Sequence, residues 1–227
     1  MARECVCIPQ KRIARKLEVA KIPERYRQAT LDSYDAIGGH PSLGHGLATA
    51  RRFVEEYPIG TDGRGLLLVG TVGIGKTHLA VGILRKVVLE KGAKGIFADF
   101  RDLLNRVKRT FGDRSMSEAE ILDPLFAADV VVLDELGAVQ ATDWTFDAVE
   151  RIINGRYNDK RSTIITTNLP NTAPATMAVV SEYGRSVPAV RGDTLGDRIG
   201  ARMHSRLQQM CQVVEMAGDD YRVKGKR

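Results

Sequence analysis

From Gly65 onward the apolar residues of this chain follow two rhythms. Short β-branched or Leu-rich runs, "LLLV" (66–69), "GIFADF" (95–100), "VVVLD" (130–134), "TIITT" (163–167) and "QVVEM" (212–216), alternate with longer stretches whose apolar positions recur every three or four residues. Leu79, Ile83 and Val87 share one side of a helix predicted over 76–90. Leu103, Leu104, Val107 and Phe111 mark a second helix, and Phe146, Val149, Ile153 and Tyr157 a third, around 144–158. A strand that is apolar throughout is buried on both faces, so such strands alternating with amphipathic helices predict an α/β fold: a parallel sheet sandwiched by helices.

Upstream the pattern is looser. A basic N-terminal segment leads to the turn-rich "AIGGHPSLGHG" (36–46) and then to a helix predicted through Phe53 and Val54 to Tyr57. "PIGTDGRG" (58–65) breaks the chain again, which divides it into a short helical N-terminal extension, 1–57, and a main domain, 58–227. Residues 170–196 carry Pro170, Pro174 and Pro188 and would form an uncommonly long loop. Thr172 as a cap, Pro174 in the first turn and Gly184 after the last predict a short helix near 174–183.

With 227 residues, 43 % hydrophobic and 27 % charged, the chain has the composition of a globular protein able to enclose its own core. No window approaches the roughly 18 unbroken apolar residues that span a bilayer. The N-terminus, "MARECVCIPQKRIARKLEVAKIPERY", lacks the apolar core of a secretory signal, so a cytoplasmic location without a membrane partner is expected. Three cysteines, Cys5, Cys7 and Cys211, are too few for a disulfide framework, and Cys5 with Cys7 makes at most half of a four-ligand zinc clip. The net charge of +6 permits a polyanionic partner without demanding one. Residues 1–30 hold eight Lys and Arg against three Glu, while Arg101, Arg106, Lys108, Arg109 and Arg114 face only Asp102 and Asp113. Either cluster could follow a phosphate backbone, and either could be an ordinary solvated surface.

The chemistry is concentrated at the ends of the apolar runs. "GTVGIGKT", Gly70 to Thr77, satisfies G-x-x-x-x-G-K-[ST] between a predicted strand and a predicted helix. In that setting Gly70, Thr71, Val72, Gly73, Ile74 and Gly75 turn backbone N–H groups inward around phosphates. Lys76, Thr77 and His78 open the helix, whose N-terminus adds partial positive charge. Lys76 neutralises β/γ-phosphates and Thr77 ligates Mg²⁺, so ATP and Mg²⁺ are the expected cofactors. "VVVLDE" sets Asp134 and Glu135 where a buried strand ends, the edge of a parallel sheet at which ligands bind. Asp134 would hold the Mg²⁺ water shell and Glu135 could take a proton from an attacking water. A lone aspartate suits a small-molecule kinase as well; the adjoining glutamate favours hydrolysis. In "TIITTN" the amide of Asn168 either orients the water or γ-phosphate, or caps the turn before Leu169. "DRIGARMHSRL" (197–207) places Arg198, Arg202 and Arg206 four apart. On one helix, steps of about 400° align them as a drifting stripe, which is either a solvated face or a site for negative charge.

Taken in order, the phosphate loop, "VVVLDELG", "ITTNLP", "RMHSRLQQMC" and "DDYR" (219–222) resemble the DnaC/IstB group of AAA+ ATPases, which includes bacterial and phage helicase loaders and the IstB transposition helpers. The resemblance runs from about Ile22 to Arg222 and includes "IPERY". It implies a P-loop NTPase of the AAA+ type in which Asn168 is the sensor 1 residue and Arg222 the sensor 2 arginine in cis. Arg206, with Arg202 as the second choice, is the arginine that reaches into a neighbouring subunit's site, and Arg198 is a support. Eleven residues follow Met216, too few for the helical lid that many AAA+ proteins carry. "CVCIPQKRIARKLEVAKIPERY" is similar to the second half of an N-terminal zinc motif seen in some relatives. The implied function is an ATP-dependent assembly factor that self-associates with ATP, binds single-stranded DNA along 101–114 and docks a replicative helicase or, alternatively, a transposase. A P-loop small-molecule kinase and a binding module with structural ATP are the other classes the motif allows.

Overall fold

The computed structural model describes residues 14–36, 40–110, 117–139, 143–172, 179–180, 186–187 and 193–224. Five strands, β1 (Gly65–Gly70), β2 (Gly95–Asp99), β3 (Val130–Asp134), β4 (Ser162–Thr167) and β7 (Cys211–Met216), form a wholly parallel sheet. Their order is β2-β3-β4-β1-β7. Successive strand residues point to opposite faces, which creates two cores. Leu66, Leu68, Val130, Val132, Ile164 and Val214 face one, and Leu67, Val69, Val131, Leu133 and Ile165 the other. Both faces are covered, so the three inner strands β3, β4 and β1 show no polar alternation.

Helices α2 (Pro41–Glu56) and α3 (Lys76–Glu90) pack on the first face. On the second lie α4 (Phe100–Thr110), α5 (Glu118–Ala127), α6 (Asp143–Asn158), α7 (Leu195–Ile199) and α8 (Ala201–Met210). The chain ahead of α2 also enters the first core. Residues 14–19 form α1, and beyond it Ala20, Ile22, Ala29, Leu31 and Tyr34 are buried against α3 and its neighbours. Phe97 N–H on the outer edge of β2 donates to the Ala20 carbonyl. Residues on both sides of the expected boundary at 57/58 thus share one hydrophobic core. After β7 comes a single turn, α9 (Tyr221–Lys224). Among the described residues no helix is long and apolar enough to cross a membrane, and no group of three or more His, Cys, Asp or Glu could hold a metal. Cys5 and Cys7 lie outside the described residues.

Three elements depart from the sequence-based expectation. Helix α5 escaped it because Pro124 stands in its interior, where proline removes a donor and obscures the signal. Its start is nonetheless regular, with the Ser117 hydroxyl accepting the Glu120 N–H. In place of the end of the helix expected near 174–183, β5 (Val179–Val180) pairs antiparallel with β6 (Ser186–Val187); residues 173–178 and 181–185 lie outside the described residues. The arginine stretch is two helices, not one. Gly200, at φ +82° and ψ 146°, separates α7 from α8, so Arg198 stands on a different helix from Arg202 and Arg206 and the three-residue stripe does not form.

Candidate nucleotide-binding site

The loop from Gly70 to Gly75 joins the C-terminal end of β1 to the first turn of α3. Gly73 and Gly75 sit at φ +81° and +91°, a region that favours glycine. Space restricts them too: a Cβ on Gly75 would lie 2.5 Å from the Tyr34 ring, and one on Gly73 would run into the Asp220 carboxylate. The loop is gripped from two sides. Tyr34 Oη donates to the Ile74 carbonyl at 2.8 Å, and Tyr221 N–H donates to the Gly73 carbonyl at 3.0 Å. Burial pushes the Tyr34 hydroxyl up to about 12, which keeps it a donor at neutral pH. His78 Nε2 lies 2.9 Å from the Thr30 carbonyl and 3.1 Å from Ser33 Oγ. Its side chain therefore engages the N-terminal segment and not the loop.

Lys76 is only 6 % exposed. Its Nζ donates to the Gly70 carbonyl at 2.7 Å, the Thr71 carbonyl at 2.6 Å and Asn168 Oδ1 at 2.7 Å, which uses all three protons. Burial draws its pKa down to about 8, against the pull of the Asp134 and Glu135 carboxylates. Asn168 thus touches the lysine of the loop. The turn-capping role falls to Thr167, whose Oγ1 accepts the Leu169 N–H at 3.2 Å.

Asp134 ends β3 with no exposed surface. Its Oδ1 accepts the Thr77 hydroxyl at 2.8 Å and the Thr166 hydroxyl at 2.6 Å, while Oδ2 is buried with no hydrogen-bond partner. Burial raises its pKa, the two hydroxyls oppose that rise, and the nearby Glu135 and Asp99 charges add to it. An unpartnered buried carboxylate oxygen next to a threonine hydroxyl is a donor set suited to a hard divalent cation. These residues fit Mg²⁺, and Asp134 with Thr77 would hold it.

Glu135, at φ +59°, opens a turn fastened to the end of β4. Its N–H donates to Thr166 Oγ1 at 2.9 Å, the Leu136 N–H donates to the Thr166 carbonyl at 2.9 Å, and Thr167 Oγ1 donates to the Leu136 carbonyl at 2.9 Å. Strand ends thus bring Lys76, Thr77, Asp134, Glu135 and Asn168 together. Arg222 joins them from α9, paired with Asp220 at 3.3 Å and close enough to Lys76 to lower its pKa. The other arginines stand elsewhere. Arg198 pairs with Asp193 at 2.7 Å, Arg202 with Glu150 at 3.1 Å, and the Arg206 guanidinium lies 5.2 Å from the Tyr157 ring centroid. None of these partners belongs to the phosphate loop. On α4, Arg101, Lys108 and Arg109 are exposed and Arg106 is half-buried; Arg114 lies outside the described residues.

Sequence reasoning overlooked Thr166, Tyr34 and Asp220. For Thr166 a signal existed: two successive threonines at the carboxyl end of a strand buried on both faces put polar atoms where the site lies. Tyr34 had none, since only the fold brings it to the loop.

The family model described as "IstB-like ATP binding protein" matches residues 1–177. The replicative helicase loader DnaC of Escherichia coli (strain K12) is 31 % identical over 124 residues, which cover 54 % of this chain and 49 % of that protein. The chain thus spans about half the length of this curated relative. A crystal structure of the DnaC helicase loader superposes with a TM-score of 0.69 at 32 % identity, covering 86 % of this chain and 99 % of the other. AMPPCP-bound DnaA from Aquifex aeolicus shares the fold, with a TM-score of 0.62 at 15 % identity over 84 % of this chain and 50 % of that one. The family match takes in the phosphate loop, both strand-end carboxylates and Asn168, the residues that the fold gathers at one edge of the sheet; the chain belongs to the DnaC/IstB family of ATP-binding proteins.

Proposed function

We propose that this chain is an ATPase of the helicase-loader type. It binds ATP with Mg²⁺ at residues 70–77, self-assembles, binds single-stranded DNA through the basic face of α4, and docks a replicative helicase. The observation that carries the reading is the convergence of Lys76, Asp134, Glu135 and Asn168 on one glycine-rich loop. Bound Mg²⁺ would supply charge neutralisation at the β/γ-phosphates. Lys76 exchanges one of its present acceptors for a phosphate oxygen. Glu135 takes the proton as water attacks the γ-phosphorus, the bond to the β-phosphate oxygen breaks, and ADP and phosphate leave. Arg222 contacts the phosphates in cis, and Arg206 or Arg202 of an adjoining copy completes the charge balance. Releasing Arg206 from Tyr157 or Arg202 from Glu150 costs little, since exposed contacts of these kinds are worth about 1 kcal/mol or less.

A second reading, an ATPase that assists a transposase, has in its favour the IstB-like model's match across the N-terminal three-quarters of the chain. It shares the chemistry and differs in the docked protein. The test is ATP turnover as a function of protein concentration, with and without single-stranded DNA, alongside capture of a hexameric helicase or a transposase. Specific activity that rises with concentration, and a Glu135→Gln protein that binds ATP without turning it over, are expected. Wild-type turnover in Glu135→Gln, or equal specific activity for dilute monomer and concentrated protein, overturns the reading.

A further inference from the structure

The geometry points to Thr166 as the positioning residue of the hydrolytic site, a single buried hydroxyl that sets both acidic residues. The inference rests on the ATPase reading above. An ionised carboxylate only accepts hydrogen bonds and an amide N–H only donates, so the direction of each bond is fixed. The one proton of Thr166 Oγ1 goes to Asp134 Oδ1 at 2.6 Å, and its lone pair receives the Glu135 N–H at 2.9 Å. The Thr166 carbonyl takes the next amide of the same turn, that of Leu136.

Two consequences follow from one side chain that is 1 % exposed. The first concerns Asp134. With Thr166 and Thr77 both donating to Oδ1, the carboxylate cannot rotate without losing a bond, and Oδ2 is the oxygen left over for the cation. The second concerns Glu135. Its left-handed φ of +59° is unfavourable for a residue with a Cβ, and the bond from its N–H to Thr166 holds the backbone there. That conformation decides where the carboxylate stands relative to Lys76 and Asp134. Without the hydroxyl, the metal-side oxygen and the proton acceptor lose their common reference point together, although the loop that grips the phosphates is untouched.

The test uses the full chain as wild type, Thr166→Val, Thr166→Ser and Glu135→Gln, measuring binding of a fluorescent ATP analogue with and without Mg²⁺ and ATP turnover over a Mg²⁺ titration. Groups that orient metal ligands typically cost 10–100-fold in metal affinity or activity when removed. Thr166→Val is therefore expected to bind the nucleotide without Mg²⁺ within about twofold of wild type, to need about tenfold more Mg²⁺, and to turn over about 10–100-fold more slowly. Thr166→Ser, which restores the hydroxyl, is expected within about threefold of wild type on each measure. A Thr166→Val protein with the wild-type Mg²⁺ midpoint and turnover overturns the proposal, as does a Thr166→Ser protein as impaired as the valine variant. If the wild type itself fails to hydrolyse ATP, the ATPase reading falls, and the Mg²⁺ midpoint for nucleotide binding still decides the role of Thr166. Where circular dichroism finds Thr166→Val unfolded, Thr166→Ala is measured in its place against the same outcomes.

Discussion

Asn168→Ala is expected to tighten ADP binding while slowing hydrolysis. In the structure Asn168 Oδ1 is one of three acceptors around a lysine that is almost fully buried. A hydrogen bond to a charged group is worth about 1.5–3 kcal/mol, so deleting the amide should destabilise the empty protein by roughly that amount. For Lys76 to reach a phosphate, one of its three bonds must be given up. The Gly70 and Thr71 carbonyls lie on the same loop as the lysine, so they travel with it. Asn168 reaches across from the end of β4 and is the partner that yields.

The ADP complex then has little to lose from the substitution and the empty protein has much. That difference appears as affinity, at tenfold for each 1.4 kcal/mol, and water filling the gap holds the gain to about tenfold. ATP gains less, because its γ-phosphate would itself engage the Asn168 amide. The preference between the two nucleotides therefore shifts toward ADP by up to about tenfold. Titrations with fluorescent ADP and a non-hydrolysable ATP analogue, paired with denaturant unfolding of the empty protein, measure every quantity in this cycle. ADP binding that is unchanged or weaker, with no loss of stability in the empty protein, would refute the exchange of acceptors at Lys76.

Lys76 has a folded pKa of about 8 against an ordinary 10.5, so between those values the unfolded chain binds more protons and stability rises with pH. Relative to Lys76→Met, the nucleotide-free wild type should gain about 2 kcal/mol between about pH 7 and 9.5, read by chemical denaturation; an equal pH response in both proteins would contradict the burial argument. Mixing Lys76→Ala with Arg206→Ala protein should recover part of the turnover that each lacks, since the first supplies an arginine to the intact site of the second; no recovery at any ratio excludes Arg206 as the donor. Arg156 is fully buried and donates to the Leu125, Ala128, Asp129 and Ser162 carbonyls and to Thr163 Oγ1, so Arg156→Met should cost at least about 4 kcal/mol by leaving these acceptors unpaired. Because that cluster lies at the end of the sheet opposite the phosphate loop, turnover per folded molecule should stay unchanged. Replacing Arg101, Lys108 and Arg109 together by Ala should weaken single-stranded DNA binding and flatten its salt dependence by about three charges, followed by anisotropy at several ionic strengths.

The layered architecture was legible because strands buried on both faces cannot hide: "LLLV" and "TIITT" are apolar or β-branched throughout, "VVVLD" is so up to its terminal Asp134, and each became a strand of the parallel sheet within a residue of its expected limits. Helix α5 was not legible, because a proline in a helix interior, here Pro124, reads as a helix breaker even though Ile121, Leu122 and Leu125 keep helical spacing. Nor was the path of residues 20–34, which carry too few apolar positions to form a strand or an α-helix of their own and hold only a 3-10 turn at Glu24–Tyr26. They are ordered by burying Leu31 against Gly82 and Tyr34 against Gly75, contacts that no local pattern encodes. The break at Gly200 had a visible cause, a glycine within the arginine stretch, but spacing alone does not tell a tolerated helical glycine from one at φ +82°.

At the site the division falls along a physical line. Residues whose chemistry the proposed function directs at the ligand, Lys76, Thr77, Asp134 and Glu135, are written in a short motif or at a strand end, because phosphate and metal recognition needs specific residue types at fixed local spacing. Residues that hold those groups in place come from far along the chain and need only supply one donor or acceptor at the right point. A threonine, a tyrosine or an aspartate can do that, and by residue type alone each is too common to stand out. Thr166 is the clearest instance. As a β-branched residue it satisfies the demands of a buried strand, and only its hydroxyl at the strand's carboxyl end hinted at a further role. Its hydroxyl acquires a purpose only once β3 and β4 are adjacent, and that adjacency is a property of strand order, which no stretch of ten or twenty residues contains.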